Sequence, residues 1–97
     1  MNTTLTVLAL ASAALPALAA DLNCPKVGDA ARSIMEHRQQ GTPLSEMMTR
    51  ARGDELVEIL TLGAYELPRS TILSVQETYV AYFQNEMLLE CYRFIRQ

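Results

Sequence analysis

Few side chains in this sequence have the type and spacing that chemistry needs. Cys24 and Cys91 are its two cysteines and His37 its one histidine. A cysteine pair serves as metal ligands only with further Cys or His donors, and as a redox site usually as Cys-x-x-Cys. Neither companion is present. In an oxidising compartment an even pair reads as one disulfide, closing a loop that spans most of the chain. His37 lies between Glu36 and Arg38, with Ser33, Ile34 and Gly41 at the neighbouring helical positions, none of which makes a metal set. As a general base it needs a nucleophile brought by folding, for which Ser45 and Thr49 are the nearest candidates. Glu55 with Glu58, and Glu86 with Glu90, are spaced as helix neighbours rather than as a glycosidase acid and base across a cleft. Gly28, Gly41, Gly53 and Gly63 stand isolated, so no glycine-rich phosphate loop is present. The sequence calls for no catalytic residue, no cofactor and no metal, and the expectation is a non-enzyme.

The compartment is read from residues 1–20. They carry no charged side chain, run apolar from Leu5, and end in Ala17-Leu18-Ala19, the A-x-A pattern of signal peptidase sites. Pro16 interrupts an apolar stretch shorter than the ~20 residues of a membrane-spanning helix. A cleaved signal peptide over 1–20, cut after Ala19 or Ala20, is therefore expected, with a retained anchor as the alternative. Asp21-Leu22-Asn23 before Cys24 lacks the small residue of a lipoprotein site, which leaves Cys24 free to pair. The address is periplasmic or secreted, with no stable membrane insertion after cleavage. Eight basic and eleven acidic residues give a net charge of −3, with the basic ones scattered. That disfavours nucleic acid and lacks the basic helix of a membrane-surface binder.

Residues 21–97 then form one domain, near the size at which a core alone supplies only ~3 to 5 kcal/mol and a staple is usual. Its punctuation predicts four helices and no strand. Cys24-Pro25 opens the first, with Val27, Ala30, Ala31, Ile34 and Met35 on one face and Gly41 as its stop. Thr42 as cap and Pro43 at the first helical position open a short second helix carrying Leu44, Met47, Met48 and Ala51. Asp54 caps a third that turns Leu56, Ile59, Leu60, Gly63, Ala64 and Leu67 inward until Pro68 ends it. Gly63 on that face suggests close approach of a neighbouring backbone. Ser70, or Ser74 with Glu77 as a capping box, starts the long fourth helix. There Val80, Phe83, Met87, Cys91 and Phe94 make the core stripe and turn Cys91 toward Cys24. The fold class is all-α: a compact four-helix domain closed end to end by Cys24–Cys91.

Three features exceed plain core building. Val75, Tyr82 and Leu89 recur every seventh residue opposite the core stripe, with Glu86 and Arg93 flanking, and read as a partner-binding stripe anchored by Tyr82. Tyr65, Glu66 and Arg69 form a polar-aromatic tip at the corner between helices three and four, where Glu66 and Arg69 are near enough to pair. Met35, Met47, Met48 and Met87 fill one small core, or line an adaptable groove between helices one, two and four.

Cys24, then Arg38-Gln39-x-Gly41-x-Pro43-x-Ser45, then Ala64-Tyr65-Glu66-x-Pro68-Arg69-Ser70, then Phe83 and Cys91, all behind an export leader, resemble a group of small exported two-cysteine helical proteins. These occur in Gram-negative bacteria and their phages. The resemblance implies a periplasmic address and a phage or prophage setting, and it transfers no catalytic residue. An uncharged leader start and the apolar Ile72-Leu73 before the last helix depart from that pattern. The expected function is a binding or regulatory role through contacts with an unidentified periplasmic or envelope protein, with homo-oligomerisation open. The alternatives are an inhibitor of a cell-wall-degrading enzyme, similar in architecture to the spackle class, and a stress chaperone similar in size and disulfide use to acid-activated periplasmic chaperones.

Overall fold

The computed structural model describes residues 22–96, and the expected leader lies outside the described residues. Four helices follow in order: α1 (Cys24–Gln40), α2 (Leu44–Arg50), α3 (Glu55–Tyr65) and α4 (Leu73–Ile95). No strand occurs among the described residues.

The helix ends show which local signals decide. Asn23 caps α1, its side chain accepting from the Lys26 amide at 3.1 Å, with Pro25 in the first turn. Asp54 caps α3 in the same way through the Val57 amide at 3.1 Å. Gly41 ends α1 with φ 91°, a left-handed backbone that costs glycine little. Its amide donates to the Arg38 carbonyl and the Thr42 amide to His37, the paired bonds of a Schellman stop.

Two expected starts are corrected. Pro43, not Thr42, is the cap of α2, and α4 begins at Leu73 with Ile72 as cap and no side-chain cap bond. Thr42 is engaged elsewhere: its hydroxyl lies 3.3 Å from His37 Nδ1 and its carbonyl accepts the Tyr65 hydroxyl. Ser70 Oγ accepts from the Ile72 amide at 3.0 Å, a turn ahead of the helix rather than a cap on it.

α1 is the central element, packed most heavily against α4 and next against α3, while α2 leans on α3. The core contains Val27, Ala31, Ile34 and Met35 of α1, Met47 of α2, Leu60 and Ala64 of α3, and Val80 and Phe83 of α4. Cys24 and Cys91 form the expected disulfide, their Cα atoms 5.7 Å apart, joining the first turn of α1 to the last turns of α4. Gly28 is a close-packing point: a Cβ there would meet Leu88 Cδ2 at 2.7 Å. Gly63 faces the Phe83 ring at 3.5 Å from a built Cβ, so its neighbour is a side chain and not the expected backbone.

The buried polar side chains are accounted for. Thr61 donates to the Val57 carbonyl within α3, and Gln39 bonds across to the α3–α4 connection. No buried side-chain nitrogen or oxygen lacks a partner among the described residues. None of the described helices is long and apolar enough to cross a membrane.

Candidate functional site

The α3–α4 corner is a structural joint. Gln39, on the last turn of α1 and 2% exposed, sends Nε2 to the Pro68 carbonyl at 2.9 Å and accepts the Ser70 amide on Oε1 at 2.9 Å. Arg38 donates from two nitrogens to the Leu67 carbonyl at 3.2 and 3.1 Å, and its guanidinium carbon lies 5.0 Å from the centre of the Tyr65 ring. Gln76 adds a bond to the Ser70 carbonyl at 2.6 Å. These bonds satisfy carbonyls and an amide of a connection that has no helix or sheet to do so.

Two of the three corner residues expected to recognise a partner, Tyr65 and Arg69, are engaged in this joint. Tyr65 is half-buried with its hydroxyl on Thr42, and burial pushes its pKa up, partly opposed by the neighbouring Arg38 charge. Arg69 does not pair with Glu66. Its Nε donates to the Gln39 carbonyl at 3.0 Å and its guanidinium lies over Gly41, where a Cβ would approach it to 3.0 Å. An orphan carbonyl at a helix end is a better partner there than an exposed carboxylate. Glu66 is exposed and makes no ion pair among the described residues.

On α4 the outward stripe is real at two of its three positions. Tyr82 is 52% and Leu89 42% exposed, whereas Val75 is half-buried. Arg93 lies 3.8 Å from Glu90 and lines a different feature, a groove on the other flank of the helix.

That groove is a mainly apolar opening. It encloses about 350 Å³ between α3 and α4. Val27, Leu60 and Cys91 form its floor, Leu56 and Ile59 one wall, Met87 and Phe94 the other. It arises because α3 and α4 both pack on α1 and touch each other little beyond the Gly63–Phe83 contact. Ile59, expected in the core, is 55% exposed at the groove mouth, and Leu62 one turn on is 49% exposed. Of the two readings of the methionines, core filling fits Met35 and Met47, and the groove that does occur lies between helices one, three and four rather than one, two and four. Met87 alone of the four methionines lines it, while Met35 and Met47 are buried core.

A second hollow of about 300 Å³ lies between α1 and the start of α4 and is polar, with Arg32, Glu36, Gln40 and Gln76 around it. His37 meets Thr42 rather than Ser45 or Thr49, and Thr49 Oγ1 is bonded to the Ser45 carbonyl. No group of three His, Cys, Asp or Glu that would hold a metal occurs among the described residues.

Sequence reasoning missed Gln39, Arg38 and Gln76 as joint residues and Ile59 as a surface residue. A signal existed for Gln39, which continues the buried Ala31–Met35 line by one more turn. A polar side chain on an apolar stripe marks a buried hydrogen-bonding post. No protein-family model, curated protein or solved structure matches the chain.

Proposed function

We propose that this protein is a small exported binding module of the periplasm or cell exterior, of phage or prophage type, that acts by docking another protein. The observation that carries the reading is the solvent-open apolar groove between α3 and α4, with Ile59 exposed at its mouth and Leu62 exposed one turn on along α3. Contiguous exposed apolar surface beside such a groove is the ordinary mark of an interaction site. The Cys24–Cys91 bond supports an oxidising address, since such bonds persist outside the cytosol. It also holds the groove floor in place, because Cys91 is part of that floor. Tyr82 and Leu89 supply a second apolar surface on the far side of α4, which fits a contact shared with a larger partner or a second copy.

The test is capture from periplasmic extract with three baits: the exported protein, its Ile59→Asp variant and its Tyr82→Ser variant. A protein retained by the first and lost with Ile59→Asp supports docking at the groove. Recovery of no specific protein, or recovery indifferent to both substitutions, removes the reading.

A further inference from the structure

The two helices that wall the groove carry more carboxylates than cations. On α3, Glu55, Ile59, Leu62 and Glu66 follow at i, i+4, i+7 and i+11, one stripe of the helix, so two carboxylates bracket the exposed apolar pair. α3 carries no Lys or Arg. Across the opening, Glu90 lines the groove and Glu86 stands one turn before it on the same face of α4. Arg93 is the one cation among the lining residues, and it lies 3.8 Å from Glu90. Glu55, Glu66 and Glu86 have no ion-pair partner among the described residues. Lys26 lines an adjoining shallow hollow together with Asp54.

We infer that the groove accepts a cationic amphipathic helix of a partner protein, its apolar face on the floor and its Lys or Arg residues over Glu55, Glu66, Glu86 and Glu90. This rests on the docking reading above and specifies the chemistry of the partner. The occupant is helical because both walls are helices whose backbone groups are already bonded within themselves. They offer no edge to an extended strand, so the incoming segment must satisfy its own amides and carbonyls. It is cationic because carboxylates on both wall helices, Glu55 and Glu86 among them without an ion-pair partner in the described residues, attract positive charge and repel an acidic competitor, which is how charged surfaces select among helices of equal hydrophobicity.

The test uses the oxidised exported protein and two synthetic amphipathic helices, one of Leu and Lys and one of Leu and Glu, titrated by calorimetry at low and high salt. The Leu/Lys helix binds, loses affinity as salt rises, and binds at least about tenfold more tightly than the Leu/Glu helix. Glu55→Lys combined with Glu90→Lys reverses that order, while Glu77→Lys, the same kind of charge reversal at one site beside the polar hollow, leaves it intact. Ile59→Asp abolishes binding of the Leu/Lys helix. All four sites are solvent-exposed, and unchanged melting curves establish that the variants fold. Equal binding of both helices, lost in Ile59→Asp, overturns the charge selection while leaving the docking groove standing. Binding of neither helix overturns both. Binding that survives Ile59→Asp places the contact elsewhere and overturns the inference.

Discussion

Gln39 and Ser70 stand 31 positions apart, yet the side-chain oxygen of the first accepts the backbone amide of the second at 2.9 Å, inside a residue only 2% exposed. The nitrogen of the same side chain reaches the Pro68 carbonyl. One primary amide thereby stands in for a missing turn of secondary structure and ties the end of α1 to the entry of α4. The joint lies at the opposite end of the α3–α4 pair from the apolar groove, which is lined by Leu56 to Leu60 of α3 and Met87 to Phe94 of α4.

Replacing Gln39 by Leu orphans the Ser70 amide and the Pro68 carbonyl together. A loss of about 2 to 4 kcal/mol is expected, read from the urea midpoint at unchanged slope. Gln39→Glu separates donor from acceptor. A carboxylate can still accept from Ser70 but repels the Pro68 carbonyl, whereas the protonated acid can donate to it. The raised folded pKa of such a group means its stabilising contribution is present at low pH and lost as pH rises through that value. The deficit of Gln39→Glu against wild type should shrink on acidification, and a pH-independent deficit would contradict this geometry.

Tyr65 makes the opposite end of the pH range informative. Burial raises its pKa above that of an unfolded chain, and Arg38 only partly offsets this. The folded state therefore holds the phenolic proton more tightly. That contribution is complete below about pH 10 and disappears as pH climbs through the folded value. Tyr65→Phe should cost about 1 kcal/mol at neutral pH through the lost bond to Thr42, and it should flatten the alkaline fall in stability expected of wild type. Parallel alkaline profiles for the two proteins would show that Tyr65 is not the titrating group.

Much of this fold was legible because its signals are local. Asp54 caps where a capping residue should, Gly41 and Pro68 end helices for reasons contained in their own backbones, and the stripe through Val80, Phe83 and Cys91 predicts which side of α4 faces in. What escaped depends on partners distant in sequence. Ile59 shares the periodicity of Leu56 and Leu60, and periodicity says which residues share a face but not whether a neighbouring helix covers all of it. Arg69 is near Glu66 in the chain and near Gln39 in space, and the uncompensated carbonyl outweighs the exposed carboxylate. Thr42 has the chemistry of a cap and is diverted to His37 and Tyr65 by tertiary contacts.

The disulfide links residues 67 positions apart, a loop for which the chain-entropy account gives about 4 kcal/mol. Cys24→Ser with Cys91→Ser should lower stability by that order. A reductant should bring the wild type to the same urea midpoint, since no other cysteine exists to respond. A variant that folds but binds the Leu/Lys helix less well would further tie the bond to the groove floor formed by Cys91.

The packing of α1 on α4 turns on Gly28. A methyl group there would sit 2.7 Å from Leu88 Cδ2 and 2.8 Å from Cγ, so a rotation of the terminal methyls alone does not relieve the contact. Overpacking of this kind costs about 1 to 3 kcal/mol, against which alanine recovers up to about 1 kcal/mol of helix propensity. Gly28→Ala should therefore be destabilising in spite of its better propensity. Leu88→Ala, which removes the obstructing branch, should be destabilising too, by the packing it gives up. If the two positions meet as described, the double variant fills with one methyl the space vacated by the other side chain. Its cost then falls below the sum of the singles, by a coupling of about 0.5 to 3 kcal/mol. Strict additivity in a double-mutant cycle, measured by urea unfolding of the oxidised protein, would mean that Gly28 owes its place to something other than the approach of α4.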